Sequence, residues 1–225
     1  MFRVLLLAAA VFLYFFDVEM LDFTNAPRLS FGGAFLWVVW IVFAVEMLYR
    51  LIPNKKIAAG ARKHFSSFYK GGNKGKKTAS HMQLHRGAVF SGLGWLLVTA
   101  GVLYGLFVLQ LLTPAAVLII ALVYSVADLV FILFFCPFQT LFMHNHCCVD
   151  CRIYNWDYFM MFAPLALFPS FYSVVLVILA TAVLVRWEIS VWKNPHFFTR
   201  ETNENLRCEA CADDLCQLRT SPGKR

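Results

Sequence analysis

The sequence predicts an all-α integral membrane protein: a polytopic helical bundle of five to six membrane segments, with a Cys-rich metal-binding loop and a Cys-rich C-terminal tail. Three observations lead there. Of 225 residues, 60% are hydrophobic and only 15% charged, against roughly 45–50% and about 25% in a soluble domain. The apolar residues fall in runs long enough to cross a bilayer core of about 30 Å. The seven cysteines lie mostly in two short groups outside those runs.

Arg3 followed by the apolar run Val4–Phe16 has the outline of a signal peptide, but the small-residue cleavage pattern is missing. It is read as an uncleaved first span. Thirteen residues cover only about 20 Å at 1.5 Å each, so the helix is expected to continue through Asp17 and Glu19, giving a span near 3–22. Asn25-Ala26-Pro27-Arg28 then reads as a turn. The second span, 31–52, is long and strongly apolar and contains Trp37, Trp40 and Glu46. Arg50 follows Glu46 at i+4, so the two can share a helix face.

Pro53–Arg86 carries Lys55, Lys56, Arg62, Lys63, Lys70, Lys74, Lys76, Lys77 and Arg86 and no acid. Between two spans such a loop is topogenic and stays in the cytoplasm; attraction to anionic headgroups comes second, and no nucleic-acid partner is expected. Its glycines do not follow the P-loop order. His81 and His85 are spaced i, i+4, which puts both on one side of a helix, but no third ligand is near them in the chain.

The third span is read as 88–112, with Gly92 and Gly94 permitting close helix contact, and Leu112-Thr113-Pro114 as a tight turn. The fourth is 115–135, interrupted by Asp128 and ended by Cys136-Pro137, since proline lacks the N–H that would continue a helix. Charge bias places Arg3 and the basic loop inside, the turns at 24–30 and 112–115 outside, and residues 136–157 back at the cytoplasmic face. Tyr158–Val185 contains Pro164 and Pro169. As one straight helix it is about 42 Å long, more than a crossing needs. A hairpin, full or re-entrant, with arms near 158–168 and 171–186 is preferred. The bundle is therefore assigned to 1–192 and a cytoplasmic Cys-rich tail to 193–225, in a multi-pass protein of the cell membrane.

Chemistry concentrates in His144-Asn145-His146-Cys147-Cys148-Val149-Asp150-Cys151 and in Cys208-Glu209-Ala210-Cys211 with Cys216. Cys148/Cys151 and Cys208/Cys211 are two CxxC knuckles, and two knuckles together make a tetrahedral thiolate site. Only the hairpin brings them to one face. His144, His146, Cys147 and Cys216 are further candidate metal ligands. Cys136, at a helix end, reads as a small hydrophobe. Thiolates suit zinc, here as a structural clip, or an iron–sulfur cluster, which would imply electron transfer. A third reading is soft-metal handling or transport. Glu46 and Asp128 are ionisable groups inside spans, expensive there and therefore functional candidates. Helix counting puts both in the cytoplasmic half at similar depth. Tyr124 and Ser125 are the alternative, purely structural, partners for Asp128. Arg152–Asp157 is read as hydrogen-bonding support for the ligands or, through Asn155 or Asp157, as a helix cap. No haem CxxCH, HExxH or GxSxG pattern occurs, and no reaction follows from the residues. The expected partners are the lipid bilayer and a membrane or cytoplasmic protein.

Overall fold

Every regular element among the described residues is helical, and four helices are long and apolar enough to cross a membrane. The structure, a computed structural model, describes residues 2–24, 31–52, 65–71, 79–143 (backbone only for 79–84), 151–199 and 202–207. In chain order the α-helices are α1 (Phe2–Phe16), α2 (Phe31–Leu51), α3 (Ala79–Val108), α4 (Pro114–Leu133), α5 (Asp157–Phe162) and α6 (Phe171–Lys193). The long ones are α2, α3, α4 and α6.

Helix α1 buries Leu6, Ala10 and Leu13, a stripe at i, i+4 and i+7, and turns Phe12, Phe15 and Phe16 outward. An apolar outward face is what a lipid environment requires. The expected run of this helix through Asp17 and Glu19 does not occur. Asp17 is extended and its side chain accepts from the Glu19 N–H, capping a 3-10 turn at Val18–Leu21. A short carboxylate that bonds the backbone ahead of it competes with helix continuation. The α-helix is therefore about 22 Å long.

Helix α2 buries Gly32, Gly33, Leu36, Val39, Phe43, Ala44, Met47 and Arg50, the 3.6-residue period of one face. Its first turn lies against the 3-10 turn: a Cβ on Gly32 would sit 2.5 Å from the Met20 carbonyl oxygen. Helix α3 is apolar nearly all round, with Phe90, Leu93, Leu97, Val98, Val102 and Phe107 exposed.

That helix stops at Val108, four residues before the expected end. Gln110 has φ 58°; the Leu111 N–H bonds the Leu106 carbonyl at 2.9 Å and the Gln110 N–H bonds that of Phe107 at 3.0 Å. These paired bonds are a Schellman closure, with glutamine where glycine is usual. Thr113 then caps α4, its hydroxyl accepting from the Ala116 N–H at 3.2 Å, with Pro114 at the first helical position, where its missing N–H costs nothing. Helix α4 ends at Leu133, ahead of Pro137 as the proline predicts, and a π-helical turn follows at Phe138–Met143.

The stretch 158–185 is interrupted near its prolines. Helix α5 passes into a 3-10 segment at Ala163–Leu167, and α6 begins at Phe171. The second arm, 23 residues, is longer than the expected 171–186. Leu176, Ala180, Val183, Trp187 and Val191 are its buried stripe.

The chain forms two compact units. The first comprises Met1–Leu51, Leu96–Asp128 and Trp156–Leu184; the second Ile52–Trp95, Leu129–Asn155 and Val185–Arg225. The core of the first is built from Leu6, Ala10 and Leu13 of α1, Leu36, Val39, Phe43 and Met47 of α2, Val117, Leu118 and Ala121 of α4, Met161 and Phe162 of α5, and Leu176 and Ala180 of α6. In the second, α3 meets the π-helical turn closely: a Cβ on Gly87 would lie 2.7 Å from the Phe142 carbonyl oxygen.

Candidate functional site

Within the first unit, charged side chains from α1, α2, α4 and α5 converge. Arg3 is the second residue of α1, a helix otherwise apolar. Its Nη2 donates to Glu46 Oε2 at 2.8 Å and its Nη1 to Asp128 Oδ2 at 3.1 Å. Nη1 also reaches the Ser125 carbonyl oxygen at 3.4 Å. The Tyr158 hydroxyl donates to the same Glu46 oxygen at 2.8 Å. One turn along α2, Arg50 pairs with Asp157: Nη1 donates to Oδ1 at 3.1 Å and Nη2 lies 2.9 Å from Oδ2. The Tyr158 ring is within reach of both guanidinium groups, 4.5 Å from the Arg50 Cζ and 5.9 Å from that of Arg3. A ring face beside a cation adds electrostatic attraction to the ion pairs. Arg3, Arg50 and Asp157 are close to fully withdrawn, with side-chain exposures of 11%, 8% and 7%, whereas Asp128 keeps 19% and Glu46 37%.

Glu46 and Asp128 are thus brought together, on one guanidinium. The partners expected for them are not the ones found. Arg50 turns to Asp157 rather than to Glu46 four residues away. Tyr124 shares a hydrogen bond of 2.9 Å with Thr99, and the Ser125 hydroxyl donates to the Leu122 carbonyl. The reason in each case is a better partner across the bundle: the planar fork of arginine matches a carboxylate more closely than a hydroxyl does. Nor does Asp157 act as a cap; it is the first residue of α5, preceded by Trp156, which makes no side-chain cap bond. Sequence reasoning missed Arg3, Arg50, Asp157 and Tyr158 as members of one cluster. The available signal was Arg3 itself, a cation inside an apolar run that also contains no acid to neutralise it.

Of the candidate metal ligands, His144, His146, Cys147, Cys148, Cys208, Cys211 and Cys216 lie outside the described residues. Cys151 is described and buried, as is Cys136. Among the described residues no three His, Cys, Asp or Glu side chains gather as a metal would require.

The backbone on either side of these groups is firmly held within the second unit. After Cys151, whose carbonyl accepts from the Tyr154 N–H at 3.1 Å, the buried Arg152 makes a two-pronged pair with Glu188 at 2.7 and 2.5 Å. Its carbonyl accepts from the Trp187 indole N–H at 2.7 Å, and the Trp187 ring meets Phe198 edge-on at 5.0 Å. The segment ahead of Cys208 is pinned in turn: Asn203 Nδ2 donates to the Phe197 carbonyl at 2.8 Å, and Leu206 is buried. Residues 65–71 of the basic loop pack on the same segment. Tyr69 lies 4.8 Å from the Phe197 ring and 5.2 Å from His196, and its hydroxyl donates to the Thr202 carbonyl at 2.9 Å. The Glu204 N–H bonds the Lys70 carbonyl at 3.1 Å, the Asn205 amide donates to that of Phe68, and Gly71 pairs with Asn203.

No family model, no curated protein and no solved structure matches this chain.

Proposed function

We propose that the chain is a multi-pass membrane protein carrying a thiolate metal site at one end of its bundle, with zinc as a structural clip between the 144–151 loop and the 208–216 tail. Cys148, Cys151, Cys208 and Cys211 are the four ligands, and His144, His146, Cys147 and Cys216 are further donors beside them. The bundle has five to six membrane segments, the four long helices together with α1 and the shorter arm 157–167. The loop and tail face the cytoplasm, where thiols stay reduced and available to a metal.

The observation that supports this reading is Trp187. Its indole N–H donates to the carbonyl of Arg152, next to Cys151, and its ring packs against Phe198, on the segment that leads to Cys208. Arg152, next to Cys151, and Phe198, on the segment that leads to Cys208, thus meet one side chain, as a hairpin requires. The helical break between Leu167 and Phe171, which contains Pro169, and the Trp187–Arg152 bond support a turn.

The test is metal analysis with an absorption spectrum on full-length protein purified without oxygen. The expected result is a colourless protein with one zinc ion per chain, lost in Cys208→Ser/Cys211→Ser and in Cys148→Ser. A brown protein containing iron and absorbing broadly in the visible would replace the clip by an iron–sulfur cluster and the role by electron transfer. Metal that exchanges freely with added Cu(I) would favour metal handling. Protein with no bound metal rules out all three.

A further inference from the structure

The cluster in the first unit is unbalanced in charge. Two guanidinium groups, Arg3 and Arg50, face three carboxyl groups, Glu46, Asp128 and Asp157. Among the described residues these acids meet no other cation. With all five groups ionised, one negative charge stays uncompensated inside an apolar bundle, and a buried group in that position takes a counter-charge or gives up its own.

The hydrogen bonds single out one acid. Glu46 is the best served: its Oε2 receives both Arg3 and Tyr158, each at 2.8 Å, and it is the most exposed of the three. Asp157 is paired with Arg50 through both carboxylate oxygens, at 3.1 and 2.9 Å. Asp128 holds only the second share of Arg3, at 3.1 Å, and is more enclosed than Glu46.

We propose that this cluster is a proton-binding site that holds one proton at neutral pH, on Asp128. The groups that set its affinity are Arg3 from α1, Glu46 and Arg50 from α2, and Asp157 and Tyr158 from α5, with Ser125 on its own helix. Binding forms one carboxyl O–H bond on Asp128, with the proton given up by hydronium of the aqueous phase, which becomes water, and brings the cluster to two positive and two negative charges. Glu46 is the edge at which the proton exchanges. A membrane bundle with such a group has the chemistry to couple its activity to proton uptake, whatever metal the cysteines hold.

Infrared spectroscopy of the full-length protein in lipid nanodiscs reads this directly. A protonated-carboxyl C=O band is expected at neutral pH, shifted down in D2O and absent from Asp128→Asn. Glu188→Gln, whose side chain pairs with Arg152 instead, keeps the band. Asparagine still offers Arg3 an acceptor, so Asp128→Asn is expected to melt at the wild-type temperature. Should it fail to fold, Glu46→Gln serves in its place: two cations then face two acids and the band is lost there as well. The proposal is overturned by the absence of the band from wild-type protein, or by its survival in Asp128→Asn or Glu46→Gln. It is equally overturned if sodium or potassium, at constant ionic strength, raises the wild-type melting temperature, since a bound metal cation would then supply the missing charge.

Discussion

A guanidinium presents its donors in a rigid plane, so it can serve two carboxyl groups from different helices at once. Arg3 does this for Glu46 and Asp128, and its attraction to Phe43 and Tyr158 adds to the hold. Removing one partner of a buried ion pair leaves the other charged and stranded, at a cost of about 3–5 kcal/mol. Arg3→Gln is therefore expected to lower unfolding free energy in mixed micelles by about that much. Arg3→Lys, a compact charge without the fork, should recover part of the loss. Equal stability for wild type and Arg3→Gln would show that the contacts are incidental. The sequence made Glu46 and Asp128 visible because an acid in an apolar run has few innocent explanations. It did not reveal their partner. Arg3 is 43 residues from one and 125 from the other, and no local periodicity encodes pairings at that range. Arg50 misled for the same reason, since its i+4 neighbour was the only partner local rules could offer.

At the scale of elements, the apolar runs located the long helices, while their ends were set by backbone hydrogen bonds that composition does not register. Leu109, Leu111 and Leu112 are as apolar as the helix before them, so a hydropathy reading carries α3 through to 112. The chain instead enters the left-handed region at Gln110, a conformation that costs a non-glycine residue roughly 1–2 kcal/mol. Gln110→Gly should relieve about 1 kcal/mol of that strain and raise the melting temperature. Gly32→Ala tests the opposite case. The new methyl group would fall 2.5 Å from the Met20 carbonyl oxygen and 2.6 Å from its Cβ. Backbone cannot step aside as a flexible side chain can, so a loss of roughly 1–3 kcal/mol is expected. Gly101→Ala, with nothing within 4 Å of the added carbon, is the neutral control for helix propensity. A Gly32→Ala protein as stable as Gly101→Ala would mean that α2 and the Val18–Leu21 turn do not approach so closely.

At the scale of the molecule, the open question in the sequence was whether Tyr158–Val185 crosses once or turns back, because that decides which side the tail occupies. Length and proline content pointed to a turn but could not require it. The contacts of residues 65–71 bear on the relative sides. Tyr69 is held by His196, Phe197 and Thr202, and Phe68, Lys70 and Gly71 bond to residues 203–205. A loop that joins α2 to α3 cannot reach a tail lying across a bilayer core of about 30 Å. A shared side for tail and basic loop is the expected outcome, which the charge bias alone also favours. An epitope tag placed after Asn73 and another at the C-terminus should be digested together by protease added to one face of oriented vesicles, and protected together on the other. Tyr69→Ala removes the aromatic contacts and one hydrogen bond without altering any span. It should leave that sidedness intact while making the tail faster to digest. Opposite protection of the two tags would break the loop–tail contact, and with it the route by which Cys208 and Cys211 reach Cys151. The proton site in the first unit involves none of these residues and would stand.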